Sequence, residues 1–294
     1  MNPDTPPDDG SILYYDADYP SLEIGEARAD DAATLARLGL LGDVAFYTGL
    51  ARATGASNGG PVLEVGCGTG RLTIPLARTG AEVWAVDVNP GMLAQLRDRL
   101  AAEAPEVRAR VRILEQDAAG LDRPELAARL AILPFNLLMM VPGGGHEARL
   151  LAAVTRHLAP GGTVALDVMN PLTLPQDADP APAPSRPRRH PRTGNPVVRH
   201  ARAGAVDGDG VQRIAGRYDE LLPDGSIRST PFAFHWRMIG LADLRSRLPA
   251  AGLAVDRVHG DFDGAPWTVA SRRTVLVGHR PFGHRPFQGS PDEI

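Results

Sequence analysis

The chain has 294 residues, of which 43% are hydrophobic and 22% charged, and its formal net charge is -4. These values are typical of a globular protein with a sizeable core, and they exclude a general electrostatic attraction to nucleic acid or to an anionic membrane surface. All 31 basic residues are arginine and Cys67 is the sole cysteine, which excludes a lysine base and an internal disulfide and argues against a cysteine-based metal site.

The N-terminal part of the sequence predicts a short disordered start and then a helical cap. Residues 1–11 are acidic and proline-rich, unlike a signal peptide, and no apolar run reaches the roughly 18 residues of a membrane span. We therefore expect a cytoplasmic protein that does not bind membranes. The cap, residues 12–60, begins with the tyrosine-dense segment ILYYDADYP and continues with apolar residues at helical spacing over 26–53.

Alternating strands and helices are predicted in a core that runs from residue 61 to residue 170. Apolar runs of five to seven residues alternate with amphipathic stretches, a pattern typical of βαβ units on a parallel sheet. The apolar runs predict strands at 62–66, 82–88, 111–115, 129–133 and 163–169. Helices are predicted at 71–79, 91–103 and 146–158, the last ended by Pro160-Gly161-Gly162.

The remaining sequence predicts an insertion, 171–238, and a return to the sheet, 239–280. In the insertion, a proline-rich loop with several arginines over 175–196 precedes β-like runs separated by DGDG and PDG turns, which indicate antiparallel hairpins. A basic clamp for an acidic substrate is the alternative to a flexible solvated loop. The sequence of residues 239–280 predicts a helix at 241–251 and strands near 253–259 and 273–279. We expect the tail, 281–294, to be disordered.

A glycine-rich turn follows the first predicted core strand. The stretch VLEVGCGTG places Gly66, Gly68 and Gly70 at a G-x-G-x-G spacing, which differs from the G-x-G-x-x-G of dinucleotide sites. Alternating glycines let a ligand lie against the backbone. Glu64 would repel a pyrophosphate but can hold a cationic ligand directly or through water. The stretch therefore favours a positively charged ligand over a purely structural turn, and Cys67 is interpreted as a small residue in a tight loop.

Two further acids follow the next two predicted strands. Asp87 ends the second strand, where a carboxylate can accept hydrogen bonds from both ribose hydroxyls, and Asp117 ends the third, where it could meet an adenine amino group. The alternative for each is a helix-capping role. Because these positions share the carboxyl edge of a parallel sheet with the glycine loop, together they predict an adenosine site.

The residues VLEVGCGTGRLTIPLARTGAEVWAVDVNPGML resemble the class I S-adenosylmethionine-dependent methyltransferases. The resemblance implies a Rossmann-like sheet of seven mostly parallel strands, the last antiparallel, with helices on both faces and S-adenosylmethionine as cofactor. LYYDADYP, PFN, HLAPGGTVALDV and GDFDG extend it toward small-molecule methyltransferases of bacterial secondary metabolism, including amino-sugar N-methyltransferases. The cofactor-binding residues that it implies are Tyr15, Glu64, Gly66, Gly68, Thr69, Gly70, Asp87, Val88, Asp117, Ala118 and Pro134.

The same resemblance implies that the YD segment folds over the cofactor and that the inserted hairpins form a lid or a homodimer contact. Tyr15 would then lie at the active-site mouth and Tyr19 near the substrate, although both could instead be half-buried core tyrosines. The implied substrate-side candidates on the hairpins are Arg217, Tyr218, His235, Trp236 and Arg237.

Methyl transfer from a sulfonium is an in-line displacement, so positioning a neutral nucleophile can supply much of the rate. An amine acceptor needs a general base less than a hydroxyl does. Asn136 is predicted beside the methyl group, and where many relatives carry a histidine four residues later this chain has Met140, which would line the pocket. His146 could replace that histidine as the base, or it could be a surface group at a helix start.

The sequence leaves two interpretations from different classes. The first is methyl transfer to nitrogen, oxygen or carbon of a small molecule. The second is a cofactor-binding protein of the same fold with a non-methylating or non-catalytic role, and a nicotinamide-dependent oxidoreductase is a third, minor alternative. The pattern predicts no nucleic-acid partner and no metal.

Overall fold

The computed structural model describes residues 9–25 and 28–282. Most of both segments for which disorder was predicted, namely residues 1–8 and 283–294, lies outside the described residues. At the N-terminal boundary the Asp9 carboxylate accepts a hydrogen bond of 2.7 Å from the Ser11 backbone N–H and caps a helical turn. Residues 9–11 therefore begin the ordered cap, which corrects the predicted boundary at residue 12.

Ten α-helices and twelve strands are found within the described ranges. The helices are α1 (Gly10–Leu13), α2 (Tyr15–Asp18), α3 (Asp31–Leu38), α4 (Asp43–Ala53), α5 (Thr73–Arg78), α6 (Pro90–Ala101), α7 (Pro105–Arg108), α8 (Leu137–Met140), α9 (His146–His157) and α10 (Leu241–Ala250). The strands are β1 (Pro61–Val65), β2 (Glu82–Asp87), β3 (Val111–Glu115), β4 (Ala128–Leu133), β5 (Leu158–Met169), β6 (Ala183–Pro184), β7 (Arg188–Arg189), β8 (Pro196–Val206), β9 (Val211–Leu221), β10 (Ile227–Arg237), β11 (Ala254–His259) and β12 (Arg273–His279). None of the described helices is long and apolar enough to cross a membrane.

The main sheet has seven strands in the order β11-β12-β5-β4-β1-β2-β3. Only β12 runs against the others, pairing antiparallel with both β5 and β11. The strand order reverses beside β1, whose neighbours are β2 and β4, and a doubly wound sheet binds its ligand at the carboxyl ends of the strands at this point. The fold predicted from the resemblance is confirmed.

Strand alternation builds a core on each face of this sheet. Val62 packs with one apolar cluster and Leu63 with the other, because successive side chains of a strand point to opposite faces. One cluster includes residues of α9 and α10, and the other includes residues of α4, α5 and α6. Helices therefore cover both faces and leave the strand ends open for a ligand.

The predicted end of α9 differs from the observed one. Pro160-Gly161-Gly162 was predicted to stop the helix, but α9 ends at His157 and the chain enters β5 directly. The three residues lie inside β5, where the register with β4 shifts between Ala128 and Leu130. The proline and glycines therefore form an irregularity in a long strand.

A second, antiparallel sheet carries the insertion, with the strand order β10-β9-β8-β6 and β7 also paired to β8. The proline-rich segment predicted as a loop thus contributes two short strands. One face of this sheet packs on the N-terminal segment, where the Tyr14 and Tyr218 rings stack with centroids 4.8 Å apart. The insertion and the cap therefore lie together over the main sheet.

Candidate active site

The glycine loop after β1 forms an open cradle. Gly66, Gly68 and Gly70 have φ of 72°, 55° and 86°, a left-handed backbone that favours glycine. A Cβ built at Gly68 meets no atom within 4 Å, whereas one at Gly70 would lie 2.3 Å from the Leu96 side chain. Gly70 is therefore required for packing against α6, and Gly68 keeps free a space that a ligand can fill.

Asp87 lies at the end of β2 beside this loop. Its carboxylate accepts hydrogen bonds of 2.9 Å from the backbone N–H of Gly68 and of 2.9 Å from that of Asn89. Each carboxylate oxygen can accept a further bond, so both remain able to bind the ribose hydroxyls. The same side chain thus holds the glycine loop in place and presents acceptors to a nucleoside.

A cavity of about 240 Å³ opens beside Asp87, and we call it the strand-end cavity. Its lining residues are Val65, Gly66, Val86, Asp87, Val88, Gln116, Asp117, Ala118, Leu137, Met140, Val141, Pro142, His146 and Leu150. The structure thus brings together Asp87, Val88, Asp117 and Ala118, as the sequence predicted. Apolar walls with acids at two strand ends suit an adenosine group.

His146 lines the strand-end cavity and is absent from the lining of the cavity where the acceptor is expected. Its Nε2 lies 3.2 Å from Oδ1 of Asp117, and its Nδ1 lies 3.4 Å from Nη2 of Arg149. As the first residue of α9, His146 is placed beside the predicted adenine position. The prediction that it acts as a base is therefore corrected, because the structure does not bring it together with Tyr15 and Asn136.

A second cavity of about 110 Å³ also adjoins the glycine loop, and we call it the aromatic cavity. Its lining residues are Ser11, Tyr15, Tyr19, Gly66, Gly68, Asp87, Met92, Pro134, Phe135, Asn136, Leu137, Met140, Arg199, Tyr218, Phe234 and Trp236. Gly66, Asp87, Leu137 and Met140 line both cavities, so the two are adjacent. A cofactor that spans them would place its adenosine in one and its reactive end in the other.

Three aromatic rings form one wall of the aromatic cavity. The Tyr19 and Phe135 ring centroids are 4.7 Å apart, and those of Tyr15 and Tyr19 are 4.9 Å apart. Burial raises the pKa of both tyrosines, so the phenols keep their protons at neutral pH. Within the described part of the chain neither phenol oxygen makes a hydrogen bond, which leaves both free for a ligand. Phe135 was not predicted from the sequence.

Asn136 belongs to a strained turn at the end of β4. Both Phe135 and Asn136 have positive φ, 54° and 59°, which is uncommon for residues with a side chain. The turn is held by Asp167, whose carboxylate accepts from the Phe135 N–H at 2.8 Å. The Asn136 side-chain oxygen accepts from the Met169 N–H and from Arg273. Asn136 therefore lines the cavity with its oxygen already engaged, and only its amide nitrogen makes no hydrogen bond to the described residues.

The N-terminal segment is bonded to the glycine loop through Asp16. The Asp16 carboxylate accepts a 2.8 Å bond from the Thr69 hydroxyl and forms an ion pair with Arg99. Thr69 is thereby turned away from both cavities, which corrects its prediction as a direct cofactor contact. Its role in this arrangement is to hold the segment that carries Tyr15 and Tyr19 over the site.

Glu64 is also withdrawn from both cavities. Its side chain is 1% exposed and accepts a 2.7 Å hydrogen bond from the Thr73 hydroxyl. Burial raises the pKa of the carboxyl to about 8, because a charge at this depth is poorly solvated. The prediction that Glu64 holds the cationic ligand directly is therefore wrong in geometry, and only an indirect contact behind the loop remains.

Strand alternation decides which residues of the second sheet face the aromatic cavity. Tyr218, Phe234 and Trp236 line it, each at an inward position of β9 or β10. Arg217 and His235, two of the predicted substrate residues, are their sequence neighbours and therefore lie exposed on the opposite face.

The remaining predicted residue of this sheet, Arg237, also lies outside the cavity. Its Nη1 lies 3.4 Å from Oε2 of Glu147, on α9. In its place the structure brings in Arg199 of β8, which pairs in register with Tyr218 and lines the aromatic cavity. Arg199 and Phe234 were missed by the sequence reasoning.

A glycine cradle and a carboxylate at the switch point of a seven-stranded sheet, in which the last strand along the chain, β12, runs antiparallel, are typical of the class I S-adenosylmethionine-dependent methyltransferases. The open Gly68 position and the free acceptor sites of Asp87 fit this cofactor. Its adenosine would be held by Asp87 and the strand-end cavity, and its methionine end would reach Tyr15, Asn136 and Pro134. When bound, it supplies a methyl group on an electrophilic sulfonium.

Comparison with known proteins agrees with this class. Residues 62–162 match the family model described as a methyltransferase domain. The chain is 29% identical to the cypemycin N-terminal methyltransferase of a Streptomyces species over 224 residues, which are 76% of this chain and 84% of that protein. It is therefore an S-adenosylmethionine-dependent methyltransferase.

Two solved structures show how far the likeness extends beyond the cofactor domain. The CcbJ methyltransferase from Streptomyces caelestis matches with a TM-score of 0.67 and 26% identity over 82% of this chain and 90% of that one. CalS10, an amino pentose methyltransferase from Micromonospora echinaspora, matches with a TM-score of 0.62 and 22% identity over 87% and 99%. The likeness to both structures therefore extends beyond residues 62–162.

Proposed function

We propose that the protein transfers the methyl group of S-adenosylmethionine to a neutral amine of a small molecule. The observation that carries this proposal is the lining of the aromatic cavity. Its described residues include no histidine, and its one carboxylate, Asp87, is bonded to two backbone N–H groups and assigned to the ribose. An amine brings its own lone pair, whereas a hydroxyl would need a base to remove its proton.

The tyrosines of the cavity do not supply such a base. Burial raises the pKa of Tyr15, Tyr19 and Tyr218, so each phenol remains a hydrogen-bond donor at neutral pH. Their rings, with Phe135 and Trp236, can instead stabilise the positive charge that an amine gains as the new bond forms. The site therefore contributes by orienting the acceptor and by excluding water.

The printed name of the cypemycin relative, an N-terminal methyltransferase, is consistent with an amine acceptor. The small size of the aromatic cavity supports a small molecule, or the end of a larger one, as the acceptor. The second sheet covers this cavity and is proposed to act as the lid. A homodimer contact through the same sheet remains an alternative role for its outward face.

The test is methyl transfer from labelled S-adenosylmethionine into matched amine and alcohol acceptors. We expect product from amines alone, with a rate that rises with pH and levels off near the pKa of the free amine, because no enzyme base limits it. Transfer to alcohols at a comparable rate would contradict the proposal. Tight binding of S-adenosylhomocysteine without transfer to any acceptor would favour the non-catalytic alternative.

A further inference from the structure

Arg199 is a charged side chain on the wall of the aromatic cavity without a hydrogen-bond acceptor in the described parts of the chain. It projects from β8 toward the site, and its Nε is buried with no hydrogen-bond partner. No hydrogen bond from its two Nη atoms is found either. A guanidinium has five N–H donors, and leaving the buried Nε–H without an acceptor is costly.

The nearest opposite charge satisfies Arg199 only in part. Oδ2 of Asp18 lies 3.5 Å from Nε of Arg199, too far for a strong charge-assisted bond, and the same oxygen accepts a 2.6 Å bond from the Tyr218 hydroxyl. The other face of the guanidinium contacts the Phe232 ring, whose centroid is 4.7 Å from Cζ of Arg199. These contacts hold the guanidinium in one position without using its donors.

The charge of this cluster is also unbalanced. Asp18 is approached by Arg199 and by Arg188, whose Nη1 lies 3.9 Å from Oδ1. Arg188 has other acceptors, the backbone carbonyls of Ala17 and Asp18. One carboxylate therefore faces two guanidiniums, and the excess positive charge lies at the aromatic cavity. Beside a bound sulfonium, a further uncompensated cation is unfavourable unless the acceptor molecule carries an anion.

We propose that Arg199 recognises a carboxylate on the acceptor, so that the substrate class is an amine that also bears a carboxylate. This inference rests on the proposed function, since it describes the acceptor of that same cavity. A guanidinium matches a carboxylate through two parallel N–H···O bonds. Arg199 lies beside Tyr218 on the second sheet, whereas Asp87 ends β2 of the main sheet, so the proposed anion site and the ribose site are carried by different sheets.

A binding experiment with a matched ligand pair tests the inference without knowledge of the natural substrate. The probes are 3-phenylpropanoate, which offers an aromatic ring and a carboxylate, and 3-phenylpropanamide, which has nearly the same shape without the charge. Titration calorimetry is performed on the full chain saturated with S-adenosylhomocysteine. We expect the carboxylate to bind at least about tenfold more tightly than the amide, with a preference that weakens at high salt.

Variants test whether Arg199 causes the preference for the carboxylate. Arg199→Gln should abolish the difference between the two ligands, and Arg199→Lys should restore part of it, because lysine keeps the charge but not the planar fork. Arg213→Gln is the matched control, since Arg213 lies exposed on the outward face of β9. Its ligand preference should equal that of the wild type. Circular dichroism and thermal unfolding establish that each variant is folded.

Three results would overturn the inference. The first is equal affinity of the wild type for the carboxylate and the amide. The second is an undiminished preference for the carboxylate in Arg199→Gln. The third is a loss of S-adenosylhomocysteine affinity in Arg199→Gln, because that would assign Arg199 to the cofactor's own carboxylate. The first needs no variant, so the inference stays testable if Arg199→Gln fails to fold.

Turnover measurements distinguish a failure of this inference from a failure of the proposed function. L-Phenylalanine, its amide and phenethylamine are offered as acceptors with labelled cofactor. We expect the lowest KM for the amino acid, and in Arg199→Gln a rise of roughly 10- to 100-fold in that KM with kcat little changed. If all three amines are methylated with equal KM, the anion site is refuted and the amine methyltransferase stands. If the carboxylate ligands bind but no amine is methylated, the proposed function fails and the anion site stands.

Discussion

Replacing Asp87 tests the cofactor assignment most directly. Its two carboxylate oxygens each accept one backbone N–H, from Gly68 and from Asn89, and the side chain is 6% exposed. In the complex each oxygen would also accept one ribose hydroxyl. Asp87→Ala removes all four acceptor interactions, whereas Asp87→Asn keeps one oxygen and removes the charge.

The size of the effect follows from the bonds that are lost. Hydrogen bonds to a charged group contribute about 1.5 to 3 kcal/mol, but the ribose hydroxyls of the free ligand bind water, so the net loss for the pair is about 1 to 3 kcal/mol. This corresponds to a rise in the dissociation constant of S-adenosylhomocysteine of roughly 5- to 150-fold in Asp87→Ala. Asp87→Asn should fall between Asp87→Ala and the wild type.

The assay is titration calorimetry of S-adenosylhomocysteine, with Asp122→Ala as the control. Asp122 is exposed and lines neither cavity, so its removal changes the same net charge without touching the site. A 2′-deoxy analogue of the ligand separates loss of the ribose bonds from loosening of the glycine loop, because Asp87→Asn should weaken its binding less. Wild-type affinity in a folded Asp87→Ala protein would refute the ribose assignment.

Three further substitutions test other parts of the site. Gly68→Val introduces a β-branched side chain at φ 55° and fills the open cradle. Calorimetry should therefore detect no cofactor binding. Wild-type affinity in the folded variant would disprove the assignment of the cradle to the cofactor. His146→Ala should weaken S-adenosylhomocysteine binding a few-fold and leave the pH–rate profile unchanged, and loss of an acid-side limb, on which the rate rises with pH, would restore His146 as a base. Glu64 has a folded pKa of about 8 against an ordinary value of 4.5, so its contribution to stability is fully present below pH 4.5 and is lost as the pH rises through 8. Glu64→Gln should remove this loss in denaturant titrations between pH 5 and 9, and an unchanged pH dependence would show that the carboxyl ionises freely.

The core sheet and the glycine loop could be predicted because their signals are local. Apolar runs with βα spacing determine the strands, and alternating glycines after the first strand determine the cradle. Asp87, Val88, Asp117 and Ala118 follow strand ends, so the topology alone brings them together. The same spacing could not show that Glu64 is turned away, because that depends on its hydrogen bond from the Thr73 hydroxyl at the start of α5.

The substrate side was predicted less well because a strand presents residues to both faces. Polar residues were favoured as candidates, and in β10 that choice selects the outward side chains His235 and Arg237. The alternation Phe232, Phe234, Trp236 in the sequence PFAFHW indicates the inward face and could have identified it. The sequence carries no comparable pattern that indicates Arg199. Its proposed role depends on a buried N–H group without an acceptor, which only the packed structure reveals.

The placement of Asn136 shows why a sequence pattern cannot predict the geometry at the site where the methyl group is transferred. Two adjacent residues with positive φ cost of order 1 to 3 kcal/mol each, and such strain persists only where the surroundings impose it. Here Asp167 imposes it, because its carboxylate binds the Phe135 N–H and is itself held by the Tyr47 hydroxyl and by Arg273. Asp167 lies on β5, and these two partners come from distant parts of the chain, α4 and β12. The turn that directs the Phe135 ring toward Tyr19 is therefore fixed by a buried polar network on the main sheet, which makes the shape of the aromatic cavity a property of the whole fold.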